Sequence, residues 1–258
     1  MNDLSGRTGL VVGVANKRSL AWAIAQAAAG AGAQLVLTFQ NERLEENVRG
    51  LAATLPRAPL LLPCDVTSDE QVKALFTTIE QEVGSLDFLI HGAAFAPREA
   101  LTAPFTQTSR EAFHVALDVS AYSLVALAAG AAPLMAKRGG GSIVTLTYLG
   151  SERVVPNYNV MGVAKAALEA SVRYLAADLG AHNIRVNAIS AGPVKTLAAA
   201  GIAGFSSMLQ LYRERTPLKR NIEGAEVADM ALFLLSHASR AVTGEVLFVD
   251  AGFHAMGM

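Results

Sequence analysis

Short runs that are apolar on both faces alternate along the chain with longer stretches of helical period, and this alternation restricts the fold more than any other feature. The runs are Gly9–Val14, Gln34–Phe39, Leu60–Leu62, Phe88–His91, Ser142–Thr147, Arg185–Ile189 and Glu245–Val249. The helical stretches are Leu20–Ala31, Glu42–Leu55, Ser68–Val83, Thr108–Lys137, Tyr158–Gly180 and Glu223–Ser236, with N-cap candidates at Ser19, Asn41, Ser68 and Asn157. A strand without a polar face has to be covered by helices on both sides, which is the situation of a parallel sheet. No Pro/Ser-rich linker divides the 258 residues. The expectation is one α/β domain over residues 1–258: a doubly wound, seven-stranded parallel sheet with helices on both faces.

Composition removes several functions. With 52% hydrophobic and 17% charged residues the chain is not disordered. Its 21 basic and 22 acidic residues give a net charge of -1, without the basic excess that nucleic acid requires. The single Cys64 excludes an intrachain disulfide, and His91, His114, His182, His237 and His254 lack metal-ligand spacing, so no metal is expected. Met1 to Thr8 lacks the residue order of a secretory signal. The apolar run Leu124 to Met135 contains Gly130 and Pro133 and is too short to span a bilayer. No membrane partner and a cytoplasmic location are therefore expected, with the mean hydropathy of +0.35 assigned to a large core.

Two connections, Gly92 to Thr106 and Ser190 to Gly204, are long and rich in small residues. Each follows a strand, where ligands bind in open α/β sheets. Residues 190–212 are read as a substrate lid within the domain, a flexible surface loop being the competing reading. The first strand leads into Gly13-Val14-Ala15-Asn16-Lys17-Arg18-Ser19-Leu20. Small residues there let the backbone approach a pyrophosphate at the start of a helix, although a tight turn without ligand has the same appearance. At the end of the second strand stands Gln40, and no basic cluster awaits a 2′-phosphate, which favours NADH over NADPH. Asp65 ends the third strand, where it can accept from an adenine amino group or start the turn ahead of Ser68.

The stretch Thr147 to Lys165 carries the chemistry. Tyr158 and Lys165 are seven residues apart (165 − 158), which puts them on one helix face two turns apart. The Lys165 ammonium can hydrogen-bond a cofactor's ribose and would lower the Tyr158 phenol pKa, improving it as a proton donor. Tyr148, at the end of the fifth strand, faces the same crevice. For any isolated Tyr/Lys pair, an exposed Lys beside a helix-start Tyr is the plainer reading. The first-turn motif and both long connections outweigh it here.

The chain resembles the short-chain dehydrogenase/reductase superfamily, and within it the NADH-dependent enoyl-acyl-carrier-protein reductases of bacterial type II fatty acid synthesis. The resemblance runs from Gly13-Val14-Ala15 to Val249-Asp250-Ala251-Gly252-Phe253. Its most specific parts are Tyr148-Leu149-Gly150, Pro156 to Gly162, Lys165 and Arg185 to Pro193. It implies a Rossmann-type fold. Ordinary members of the superfamily carry Tyr-x-x-x-Lys with a serine thirteen residues before the tyrosine. At those positions this chain has Met161 and Tyr148. Moving the tyrosine one turn, roughly 5 Å of rise, relocates its hydroxyl. It then lies nearer the oxygen of a 2-enoyl thioester, where charge develops when hydride reaches C3.

The resemblance implies catalytic roles for Tyr148, Tyr158 and Lys165, with Tyr158 stabilising and protonating the enolate. It implies cofactor contacts from Gly13, Ser19, Leu20, Gln40, Asp65, Val66, Ala93, Lys165, Val194, Lys195, Thr196, Leu197 and Ala198. Substrate contacts are implied from Ala96, Tyr148 and Tyr158, with an apolar cover from Leu197 to Ile202. Gly92 and Ala93 depart from the serine and bulkier aliphatic common in the family. The implied partners are an enoyl thioester on acyl carrier protein and further copies of the chain, as a homotetramer. Arg213, Arg215, Lys219 and Arg220 are candidates for docking the acidic carrier, or a solvated helix face balanced by Glu214. The runs Leu124–Met135 and Gly244–Phe253 are candidate interfaces, or monomer core. The competing functions are a ketone or alcohol dehydrogenase, against which Met161 and Tyr148 argue, and a catalytically silent NAD-binding protein, against which Tyr158 and Lys165 argue.

Overall fold

The computed structural model describes residues 3–194 and 204–257. Seven parallel strands are β1 (Thr8–Val12), β2 (Gln34–Phe39), β3 (Leu60–Pro63), β4 (Phe88–His91), β5 (Gly141–Thr147), β6 (Ile184–Ala191) and β7 (Val246–Val249). They form one sheet in the order β3-β2-β1-β4-β5-β6-β7. Nine α-helices are seen among the described residues: α1 (Leu20–Gly30), α2 (Glu42–Ala52), α3 (Asp69–Glu82), α4 (Arg98–Thr102), α5 (Arg110–Leu117), α6 (Ser123–Ala136), α7 (Asn159–Leu179), α8 (Phe205–Arg215) and α9 (Gly224–Leu235).

Neighbouring strand residues serve opposite faces. Val11, Leu35, Leu37, Ile90 and Ile189 pack with Trp22, Val48 and Leu234 from α1, α2 and α9. Leu10, Val36, Leu89, Ile143 and Val186 pack with Phe76, Leu127 and Leu168 from α3, α6 and α7. Burying each large aliphatic side chain contributes about 1.5–3 kcal/mol. A strand serving both layers has no place for a polar face, which explains the sequence pattern. Caps behave as expected at Asn41 and Ser68, whose side chains accept from Leu44 N and Gln71 N. Asn157 is not a cap: Tyr158 occupies that position, and Asn157 is left-handed at φ 61.

Two expected elements differ. Thr108–Lys137 is not one α-helix, because Asp118–Tyr122 forms a π-turn between α5 and α6. The stretch Arg110–Ala136 is long and apolar enough to cross a membrane by length and composition, beyond the shorter run recognised in the sequence. Yet Leu124, Leu127, Ala128 and Ala131 have no exposure and lie in the core beneath the sheet. That burial puts Leu124, Leu127, Ala128 and Ala131 in the monomer core, while Ala129 and Pro133 on the same run are exposed. The connection after β4 is also more ordered than expected, containing α4 and a 3-10 turn at Phe105–Gln107.

The sheet order reverses between β1 and β4, so the crossovers depart in opposite directions and leave a crevice at the strands' carboxyl ends. Gly13, at φ +99, lies on one side of it, and a Cβ there would collide with the Gly92 backbone on the other.

Candidate active site

Tyr148 follows β5 directly, and Tyr158 stands at the start of α7. The chain turns between them through Leu149–Ser151 and reaches α7 with Asn157 and Asn159 both at positive φ, 61 and 24. Asparagine tolerates that region better than most residues. Asn159 is tied down further, its Nδ2 donating to Ala103 O after α4 at 2.7 Å. The two tyrosine rings meet edge to face, with centroids 5.0 Å apart at 78°.

Gly150 makes that meeting possible. A Cβ there would collide with Cδ1 of the Tyr158 ring and lie 2.8 Å from its Cε1. Gly150→Ala has no backbone strain to overcome, so its effect falls on the ring. A displacement of about 1 Å at a reacting group can cost about a hundredfold in rate. We expect kcat to fall at least tenfold while NADH affinity, measured by fluorescence titration, stays within twofold. A variant with normal kcat would show that Tyr158 tolerates displacement.

Lys165 is buried, and its Nζ donates to Leu146 O on β5 at 2.8 Å. One turn further along α7, buried Glu169 accepts from Thr147 Oγ1. Burial pulls the Lys165 ammonium down to about 8, with Glu169 opposing the shift. Burial pushes the Tyr158 phenol above its ordinary range, and Tyr148 and Glu169 push the same way. The expected lowering of the Tyr158 pKa by Lys165 is therefore not observed: desolvation dominates, and the phenol is a firmly neutral hydrogen-bond donor. Tyr148 is also raised by burial, with its hydrogen bond to the Tyr212 hydroxyl, in which either oxygen can donate, opposing and Asp250 reinforcing the shift.

Met161 is buried with Ala100, Ala112, Ala116, Val160 and Ala164, and Ala96 and Tyr158 pack against this cluster. The connection after β4 is pinned by Ser120 of the π-turn, whose Oγ accepts from Phe95 N at 3.0 Å and donates to Phe95 O at 3.2 Å. Beneath it, buried His91 bridges Thr145 Oγ1 and Ser123 Oγ at 2.7 and 2.8 Å. Burial, and then the Lys165 charge, pull the imidazole down to about 3, leaving it neutral.

The other cofactor-side candidates that the structure describes follow the carboxyl ends of β1, β2, β3, β4 and β6 or stand at the start of α1. No side chain caps α1. Ser19 Oγ instead accepts from Ala15 N at 3.2 Å and Asn16 N at 3.1 Å, folding the turn back on itself. The first turn of α1 carries no acid, so an anion there meets the helix's positive end. With the backbone approach at Gly13, these residues fit a dinucleotide pyrophosphate. Gln40 Nε2 donates to Asp65 Oδ2 at 3.1 Å, joining the ends of β2 and β3. Asp65 Oδ1 also accepts from Thr67 N and Oγ1, so it makes the turn ahead of Ser68 as well. Val66 and Ala93 pack against the core on the α3–α6–α7 side, and Leu20 and Val194 against the other face. Lys195, Thr196, Leu197, Ala198 and the rest of the expected acyl cover through Ile202 lie outside the described residues.

Glu169, Tyr212, Ser120 and the His91 partners were not singled out in the sequence. Glu169 carried a usable signal, four residues beyond Lys165 on the same face. The others meet their partners across long chain separations. In the expected docking cluster, Arg220 pairs with Glu226 at 2.6 Å and Lys219 Nζ donates to Glu214 O, while Arg213 and Arg215 are exposed on α8. Among the described residues no group of His, Cys, Asp and Glu is arranged to hold a metal ion.

A family model described as enoyl-(acyl carrier protein) reductase matches residues 13–254. An NADH enoyl-[acyl-carrier-protein] reductase of Bacillus cereus is 55% identical over 258 residues, covering all of both chains. The Bacillus subtilis counterpart is 54% identical, over 98% of this chain and 97% of its own. The Bacillus cereus enzyme solved with NADP+ and an indole naphthyridinone superposes with TM-score 0.97 at 55% identity, covering 100% of each chain. The Anaplasma phagocytophilum reductase solved with NAD gives TM-score 0.95 at 47% identity, over 99% of this chain and 96% of that one.

Proposed function

The chain belongs to the enoyl-(acyl carrier protein) reductase family, and on that premise we propose how its side chains carry the reaction. Its activity is the NADH-dependent reduction of an enoyl group carried on acyl carrier protein. NADH, when bound, supplies the hydride that adds to C3 of the trans-2-enoyl thioester.

Gly13 lets the backbone approach the pyrophosphate, and the first turn of α1, with Ser19 and Leu20, holds it at the helix's positive end. Gln40 and Asp65 hold the adenosine end, where the carboxylate of Asp65 disfavours a 2′-phosphate. Val66, Ala93 and Val194 line the cofactor's path, and Lys195, Thr196, Leu197 and Ala198 complete the proposed cofactor set. Lys165 donates to the nicotinamide ribose in place of its present bond to Leu146 O. Tyr158 donates its phenolic hydrogen to the thioester oxygen, where negative charge develops, and so protonates the enolate to an enol; collapse of the enol takes a solvent proton at C2 and returns the oxygen-bound proton to Tyr158. Tyr148 assists at the same oxygen, and Ala96 offers its backbone to the substrate.

The observation that carries this reading is the buried Met161. The tyrosine position of a ketone reductase is filled with core, and the phenol stands one turn earlier, against Tyr148. Nicotinamide absorbance followed with a 2-enoyl and a 3-keto thioester tests it. Turnover is expected with the enoyl substrate and NADH. Turnover confined to the keto substrate would overturn the assignment of Tyr158.

The assembly follows from surfaces rather than from the site. We read the chain as a cytoplasmic homotetramer without nucleic-acid or membrane partners. Edge strand β7 supports the assembly, because Val246, Leu247, Phe248 and Val249 are each only half-buried beside a concavity of about 660 Å³ lined by Ile222, Phe233 and His254. The carrier protein's acidic surface is assigned to Arg213 and Arg215, since Arg220 already has Glu226.

A further inference from the structure

We propose that Tyr212 is a positioning residue for the reduction: its hydroxyl donates to Tyr148 Oη and so turns the Tyr148 proton toward the substrate's thioester oxygen. This rests on the reading above, in which Tyr148 assists at that oxygen. The two hydroxyl oxygens are 3.1 Å apart. Tyr212 comes from α8, is 4% exposed, and stacks on Phe253 with centroids 3.7 Å apart at 14°. Its ring is therefore clamped between α8 and the C-terminal segment, and its hydroxyl is held in one place.

A phenol has one proton to give. If Tyr212 donates to Tyr148, the Tyr148 proton is left for a third group. The group now within reach is Met208 Sδ at 3.5 Å, a weak acceptor that a carbonyl oxygen displaces. Burial above all, and then the Asp250 charge, keep both phenols neutral, and with the Tyr148 proton directed at Met208 Sδ the Tyr148 oxygen is left to accept from Tyr212. A hydroxyl that accepts one hydrogen bond donates the next more strongly. The pair thus forms a directed line from the C-terminal segment through α8 to the reacting oxygen, alongside Tyr158.

Tyr212→Phe removes the hydroxyl and keeps the stack on Phe253. Steady-state kcat and KM for a 2-enoyl thioester and for NADH are to be measured for the wild-type enzyme, for Tyr212→Phe, for Tyr148→Phe and for the double variant. A lost neutral hydrogen bond corresponds to a kcat reduction of roughly fivefold, with KM for NADH unchanged. In the Tyr148→Phe background the second substitution is expected to have no further effect on kcat, a dependence that a purely structural Tyr212 would not show. An equal loss in both backgrounds, or none in the wild type, overturns the proposal and leaves the role of Tyr148 standing. Full turnover by Tyr148→Phe overturns the role of Tyr148, and the proposal with it.

Discussion

Replacing Tyr158 with phenylalanine is expected to lower kcat by about a hundredfold or more while leaving NADH affinity within twofold. The size follows from the role: removing one donor from a developing oxyanion costs about a hundred- to a thousandfold, and general acid catalysis contributes on a similar scale. The selectivity follows from the packing. Phenylalanine keeps the edge-to-face ring contact with Tyr148 and the contact with the Met161 cluster, so the crevice between β1 and β4 is undisturbed. The raised phenol pKa adds a second expectation. Because burial holds Tyr158 neutral, its titration contributes no loss of activity between pH 6 and 9, and a kcat limb in that range belongs to another group. Fluorescence titration with NADH and absorbance-monitored turnover separate the two effects. Wild-type kcat in this variant would remove Tyr158 from the mechanism.

The second large effect belongs to Lys165. Lys165→Met keeps a long apolar stem and removes the ammonium, so a charge-assisted hydrogen bond to the cofactor ribose is lost. Such bonds contribute about 1.5–3 kcal/mol, which predicts NADH binding weaker by tenfold to a hundredfold. Glu169 keeps its hydrogen bond from Thr147, so the buried carboxylate is not left without a partner. The pH dependence has a defined sign. With its pKa lowered to about 8, the side chain is a cation below that pH and an amine above it. NADH affinity should therefore fall as pH rises through about 8. Neighbouring His91 is already neutral throughout that range. Calorimetric titration from pH 6.5 to 9.5 would show the fall in the wild type and a flat, weak profile in Lys165→Met. A parallel fall in both proteins would assign the titration elsewhere.

The seven strands were legible because a parallel strand covered on both sides has to be apolar on both faces, and the seven runs have that pattern. The long helices were legible by period. What escaped were features set by other parts of the chain. The π-turn at Asp118–Tyr122 adds one residue to a turn without changing composition, so the period reads straight across it. Helix α4 spans only Arg98–Thr102, too short to establish a period, and α8 carries charged residues along its last turn. In the site, Tyr148, Tyr158 and Lys165 were legible because a fixed spacing on one strand and one helix places them. The depressed pKa expected for Tyr158 was an error of the same origin. Spacing shows which groups share a face, but desolvation depends on everything packed above them. Tyr212 lies 64 positions from Tyr148, and nothing in either segment announces the other.

The Met161 cluster decides more than which phenol reacts. Ala100, Ala112 and Ala116 belong to α4 and α5, elements that come before α7 in the chain, and they are buried in one cluster with Met161. A tyrosine at position 161 would therefore have to evict packed side chains before it reached the crevice. The two chemistries of this scaffold are separated by occupied volume as well as by hydroxyl placement. An evolutionary path between them has to hollow out one neighbourhood while filling the other. The barrier to changing the reaction thus stands partly in buried alanines to which no catalytic role is assigned.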